Sequence, residues 1–183
     1  MSRVLVPLAE GCEEMEAVTI IDLLRRGGIE VVAAGLSDGP VTGSRGTRIL
    51  PDTTLDEALE TDFDMVVLPG GLPGSDHLAA DDRVTGLLRR MNESGRFVGA
   101  VCAAPKVLAR AGILDGKRAT AFPGVLQAEA HPDIGGEPVV RDGTVITSRS
   151  AGTAMDFGLA LVEALAGRET RKEVEAGLAR DQD

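Results

Sequence analysis

The sequence predicts an α/β protein with one open, mostly parallel sheet and helices on both faces. Three observations predict it. Short apolar runs of strand length alternate with amphipathic stretches of helix length along the whole chain. The first thirty or so residues already read as a strand, a helix and a second strand, the right-handed crossover unit of a parallel sheet. The run FVGAVCAAPKVLARA, Phe97 to Ala111, turns sharply from a doubly buried strand into a helix.

Arg3 to Leu8 is the first strand, and Gly11 to Glu16 is a turn rich in carboxylates. Ala17 to Arg26 follows as an amphipathic helix that Gly27-Gly28 ends. Ile29 to Ala34 is the second strand. Ser37 to Arg48 is loop-like, and Leu55 to Leu59 suits a short helix. Met65 to Leu68 is an apolar strand running into Pro69-Gly70-Gly71-Leu72-Pro73-Gly74. Asp82 to Asn92 is helical, and then comes the Cys102 strand with its helix, Lys106 to Ala111. Arg118 to Phe122 is a short strand. Val139-Val140-Arg141 and Thr144 to Thr147 flank Asp142-Gly143, a hairpin signal. Gly152 to Ala166 and Arg168 to Arg180 are the last helical stretches. No linker or repeat divides residues 1–183, which read as one domain.

The charge is −10, from 29 acids against 19 Lys and Arg. That balance argues against a nucleic-acid partner, and the absence of Trp and Tyr removes an aromatic stacking platform. No apolar run approaches the roughly eighteen residues of a membrane span, so no membrane partner is expected. The first residues read as a strand and not as a signal peptide. Two cysteines make no disulfide framework, which places the chain in a reducing cytoplasm. No Cys or His pair has metal-ligand spacing, so neither metal nor cofactor is expected.

In a sheet of this kind the working crevice lies beyond the carboxyl ends of the strands. Three loops arrive there. Ala9 to Glu16 brings carboxylates, Gly70 to Gly74 brings closely approaching backbone, and Cys102 to Pro105 brings a thiol. A strand–nucleophile–helix turn presents its side chain at that edge, and helix N-terminal N–H groups favour a thiolate. The other reading of Cys102 is a packed structural cysteine. Glu13, Glu14 and Glu16 begin the first helix, where acids stabilise the N-terminus. Glu16, however, shares a face with apolar Ile20, so it points inward and needs a partner. If that partner is Cys102, the pair shares a proton. Cys12 is either inert or a second redox thiol. His131-Pro132-Asp133 resembles part of a triad but lies in a Pro-, Gly- and acid-rich stretch that reads as surface. The first helix is apolar around much of its circumference, through Ala17, Val18, Ile20, Ile21, Leu23 and Leu24, which suggests a face shared with a second copy.

The segments EGCEEMEAVTIIDLLRRGGIEV, DMVVLPGG, GAVCAAP and TSRSAGTAMDFGLALVEALAG, in this order, resemble the ThiJ/PfpI superfamily. The resemblance is to the branch of the Parkinsonism-associated protein deglycase and its bacterial homologues. It implies a flavodoxin-like sandwich and a homodimer. It carries a nucleophilic, oxidisable cysteine onto Cys102 and its hydrogen-bonding acid onto Glu16. The oxyanion-type N–H groups fall on Gly71 and Ala103 beside Gly70, and Arg26 and Arg45 match arginines of the pocket or the dimer seam. The implied activity is that of a deglycase or glyoxalase acting on reactive dicarbonyls or early glycation adducts, small aldehydes or glycated substrates. The alternative is a redox sensor or oxidative-stress chaperone built on a Cys102 sulfinate. Two departures matter: Ala103 stands where protease members place His, which argues against a protease, and Phe122 stands where some relatives place a His before Pro.

Overall fold

The computed structural model describes residues 1–127, 130–131 and 133–180. The elements, in chain order, are β1 (Arg3–Leu8), α1 (Glu14–Arg26), β2 (Glu30–Gly35), β3 (Val41–Thr42), β4 (Arg48–Ile49), β5 (Thr53–Thr54), α2 (Leu55–Ala58) and β6 (Met65–Leu68). Then follow α3 (Gly74–Ala80), α4 (Asp82–Glu93), β7 (Phe97–Val101), α5 (Pro105–Arg110), β8 (Ala119–Thr120), β9 (Ile134–Gly135), β10 (Val139–Asp142), β11 (Val145–Ser148) and α6 (Ala154–Gly177).

Seven strands form the central sheet in the order β10-β11-β7-β6-β1-β2-β5. All neighbours are parallel except the β10–β11 hairpin, as the Asp142-Gly143 signal requires. The strands read as continuous apolar runs because both faces are covered. Along β1, Val4, Val6 and Leu8 join the core under α1 and α6, and Leu5 joins the core under α2 to α5. Met65 and Val67 of β6 divide from Val66 and Leu68 in the same way. The helices α1 and α6 meet closely because glycines stand at the crossing: a Cβ on Gly158 would lie 2.5 Å from Leu23 Cδ1.

The chain leaves β1 toward β2 on one side and later returns to β6 on the other. The sheet therefore reverses its winding between β1 and β6, where a crevice opens at the carboxyl edge.

Some sequence expectations need correction. The first helix begins at Glu14, because the Glu13 side chain caps it by accepting from Glu16 N at 2.7 Å. Gly74–Ala80 is a helix in a stretch to which the sequence assigns no element, and the loop-like Ser37 to Arg48 carries β3 and the start of β4, paired with each other. Of the apolar residues assigned to a shared face of α1, Ala17, Ile20, Leu23 and Leu24 are buried within the subunit. Val18 is exposed, together with Met15 one turn before it.

Candidate active site

Cys102 follows β7 directly and has φ 61, in the left-handed region that side chains rarely enter. The turn is held from three sides. Cys102 N donates to the Ser148 carbonyl at 3.0 Å, Ala104 N to the Val101 carbonyl at 2.9 Å, and Phe122 N to the Cys102 carbonyl at 2.9 Å. Small Ala103 and Ala104 let the chain turn at once into α5, whose Pro105 sits at its first position. The thiol is only partly exposed.

The loops after β1 and β6 are stitched together beside it. Glu13 N donates to the Gly70 carbonyl at 2.8 Å and Gly74 N to the Gly11 carbonyl at 3.2 Å. Gly70 N donates to Glu16 Oε2 at 2.7 Å. Only glycine fits at 70: a Cβ there would lie 2.7 Å from Glu16 Oε2 and 2.8 Å from both Cys102 Cβ and the Val101 carbonyl oxygen. Gly71, at φ 89, presses against the backbone of residues 11–13. Gly70 is thus wedged between the carboxylate and the cysteine.

Glu16 is fully buried. Burial pushes its carboxyl up to about 7, with the Gly70 N–H and the Cys102 thiol pulling the other way. Among the described residues its Oε1 has no hydrogen-bond partner by geometry, and its neighbour is the Cys102 thiol. Burial, and then the Glu16 carboxylate, push the Cys102 thiol up to about 12, while the N–H groups of Ala103 and Gly71 oppose the rise. Two groups that repel as anions titrate as a pair and hold one proton between them. With the proton on Glu16, the repulsion is gone and the sulfur gains a donor. The Ala103 and Gly71 N–H groups favour the thiolate, and burial together with Glu16 outweighs them.

The three acids of the first turn have separate tasks. Glu13 caps α1. Glu14 grips the 43–47 loop, accepting from Arg45 N at 3.0 Å, Thr47 N at 3.2 Å and Ser44 Oγ at 3.3 Å. Burial opposes its ionisation, but those donors and its own N–H outweigh burial and hold the carboxyl below its ordinary range. The glycine at 43 makes room for this clamp, since a Cβ would lie 2.5 Å from Glu14 Oε2.

The arginines stand apart. Arg45 is held near the crevice by its backbone, with an exposed side chain. Arg26 is at the far end of α1, ten residues and about 15 Å beyond Glu16, paired with Asp22 at 2.6 Å. One subunit does not bring it to Cys102. Cys12 is fully buried, and burial followed by Glu14, Glu10 and Glu13 pushes its thiol up to about 11. The His77 ring is occupied with the Glu10 carbonyl at 2.9 Å. Of the His131-Pro132-Asp133 stretch, Pro132 lies outside the described residues. Among the described residues, no three His, Cys, Asp or Glu side chains are grouped to hold a metal, and no helix is long and apolar enough to cross a membrane. A cleft of about 300 Å³ lined by Phe63, Leu87, Met91, Arg90 and Arg96 opens near the start of β6 and β7, at the opposite edge from Cys102.

A cysteine elbow at the carboxyl edge of a flavodoxin-like sheet, with a buried acid beside it, defines a class of α/β sandwiches with a thiol centre. The chain belongs to the DJ-1/PfpI family, whose model matches residues 2–164. It is similar to the protein dj-1beta of Drosophila melanogaster, at 45% identity over 177 residues and 95% of each chain. It is also similar to the glutathione-independent glyoxalase DJR-1.2 of Caenorhabditis elegans, at 39% identity over 162 residues, 87% of this chain and 86% of that one. The crystal structure of Drosophila DJ-1beta superimposes with a TM-score of 0.93 at 44% identity, covering all of both chains.

Proposed function

We propose that the protein is a Cys102-dependent enzyme of the glyoxalase or deglycase type, acting on reactive dicarbonyls or early glycation adducts. The observation that carries this reading is Gly70, wedged between Cys102 and a buried carboxyl whose proton is available near neutral pH. Cys102 Sγ adds to the aldehyde carbon of an α-oxoaldehyde, forming a C–S bond. The N–H groups of Gly71 and Ala103 receive the carbonyl oxygen as it becomes negative, and Glu16 gives it a proton. Glu16 then takes the proton from the former aldehyde carbon and returns it to the neighbouring carbon, while the new hydroxyl passes its proton to the neighbouring oxygen, so that the first carbon becomes a thioester carbonyl and the second an alcohol. The resulting thioester is cleaved by water, releasing a hydroxy acid and the Cys102 thiol. The aldehyde carbon is oxidised, its neighbour is reduced, and no outside redox partner is consumed. A glycated amine, an aminocarbinol, joins at the hemithioacetal: Cys102 Sγ displaces the amine, the C–N bond breaking as the C–S bond forms, and Glu16 gives the leaving nitrogen its proton.

In this reading residues 1–183 work as one domain in the cytoplasm. Two subunits pair through the exposed side of α1 around Met15 and Val18, bringing Arg26 of each to the seam. The deciding experiment is lactate formation from methylglyoxal by wild type and Cys102→Ser. Turnover lost in the variant supports the reading; none in the wild type, or equal rates, overturns it. One observation favours a second reading, redox sensing. A protonated Glu16, whose Oε1 has no partner by geometry among the described residues, can donate to a sulfinate oxygen on Cys102. Intact-mass measurement during peroxide titration, with Cys12→Ser as background, checks it. A stable gain of two oxygens that depends on Glu16 is expected.

A further inference from the structure

Two exposed apolar side chains stand on the segments that hold the Cys102 elbow. Phe122 is tied to the elbow itself, its N–H donating to the Cys102 carbonyl at 2.9 Å, yet the residue is 49% exposed. The chain has four Phe and neither Trp nor Tyr. Phe63 and Phe157 are core, and Phe97 is half-buried under the Arg141 guanidinium. Phe122 is therefore the phenylalanine that the fold leaves in water. Leu72 follows Gly71, whose N–H acts on the Cys102 sulfur, and it is 58% exposed.

A single exposed apolar residue needs no explanation. Two on the segments that build one reactive centre are a different matter. The sulfur attacks, the Ala103 and Gly71 N–H groups take the oxygen, and fully buried Glu16 closes the inner side. The substituent of a bound carbonyl compound leaves toward solvent, and Leu72 and Phe122 are the exposed apolar residues on the segments adjoining the elbow. We infer that Leu72 and Phe122 form an apolar lip that selects α-oxoaldehydes carrying a hydrocarbon or aryl substituent over small or polar ones. This rests on the dicarbonyl reading of Cys102. Neither residue takes part in the proton or bond changes: both act on which substrate is held, by covering apolar surface that the free substrate exposes to water.

The test compares phenylglyoxal with methylglyoxal in wild type, Phe122→Ala, Phe122→Leu and Leu72→Ala. Wild type is expected to favour phenylglyoxal in kcat/KM. Phe122→Ala is expected to lower that preference about tenfold, with Phe122→Leu keeping part of it and Leu72→Ala losing less. Methylglyoxal, with its smaller substituent, is expected to lose less than phenylglyoxal in each variant, and the melting temperature reports folding. A second measurement needs no turnover: Cys102 alkylation by iodoacetamide and by iodoacetanilide, its N-phenyl form, with Cys12→Ser throughout. The anilide advantage is expected to fall in Phe122→Ala. Absence of all turnover would overturn the dicarbonyl reading and leave the lip to be judged by alkylation alone. An aryl preference, or an anilide advantage, that is the same in wild type and Phe122→Ala would overturn the lip.

Discussion

Glu14 and Glu16 stand two residues apart on the first turn of one helix, both buried, and the fold drives them in opposite directions. Around Glu14 the 43–47 loop supplies two backbone N–H groups and a hydroxyl, and the carboxyl stays ionised below its ordinary range. Glu16 receives one N–H, from Gly70, and faces a thiol, so burial prevails and its carboxyl rises to about 7. Burial alone does not set a carboxyl's state; the number of donors brought to it does. One acid becomes a clamp and the other a proton carrier.

The sharpest way to break this contrast is to remove the titration of each acid in turn. Glu16→Gln keeps the shape and an acceptor for Gly70 N but cannot pass a proton. Loss of a general acid–base group costs about 10²- to 10⁴-fold. Steady-state turnover of methylglyoxal should fall by that factor, while the melting temperature holds or rises. Glu14→Gln should leave turnover within about tenfold. Equal losses in both variants would mean that Glu16 only shapes the site.

The same contrast appears in stability against pH. The folded carboxyl of Glu16 is raised from 4.5 to about 7, so the folded state binds the extra proton between those values. Stability is therefore present below pH 4.5 and is lost as pH rises to about 7. At about 1.4 kcal/mol per unit, the loss is about 3 kcal/mol at most. Urea unfolding at pH 4.5 and 7.5 should show this fall in wild type and a flatter course in Glu16→Gln. Parallel slopes for the two proteins would remove the shift.

Much of this arrangement is legible in the sequence, and the exceptions have a physical pattern. The strands Met65–Leu68 and Phe97–Val101 stand out because doubly buried strands are apolar without interruption. Glu16 stands out because it shares a helix face with Ile20. The break between the last two helical stretches is visible at Gly167, where φ is 87. By contrast, GSDHLAA is too short to show helical periodicity, so Gly74–Ala80 has no element assigned to it from the sequence. The role of Glu14 is hidden because its partners, Ser44, Arg45 and Thr47, lie some thirty residues away in a segment without a pattern. Leu72 is likewise marked only by exposure, which a sequence does not display.

The smallest effect expected is on the clamp, and it carries the opposite sign. Glu14→Gln leaves one oxygen to accept from the loop but removes the charge. Hydrogen bonds to an ionised acceptor are roughly twice as strong as neutral ones, so about 1–2 kcal/mol of stability should be lost at pH 7. Because the folded carboxyl of Glu14 lies below its ordinary value of 4.5, its contribution is present above that value. It is lost as pH falls through the lowered folded value. The difference between wild type and Glu14→Gln should therefore be full at pH 7 and shrink toward zero in acid, whereas the Glu16 effect grows from acid to neutral pH. The loop offers a second readout, because amide exchange at Arg45 and Thr47 should quicken in the variant while exchange in β6 stays unchanged. If the Glu14→Gln difference instead persists at low pH, the carboxylate acts through packing alone, and the two acids of α1 are not opposites.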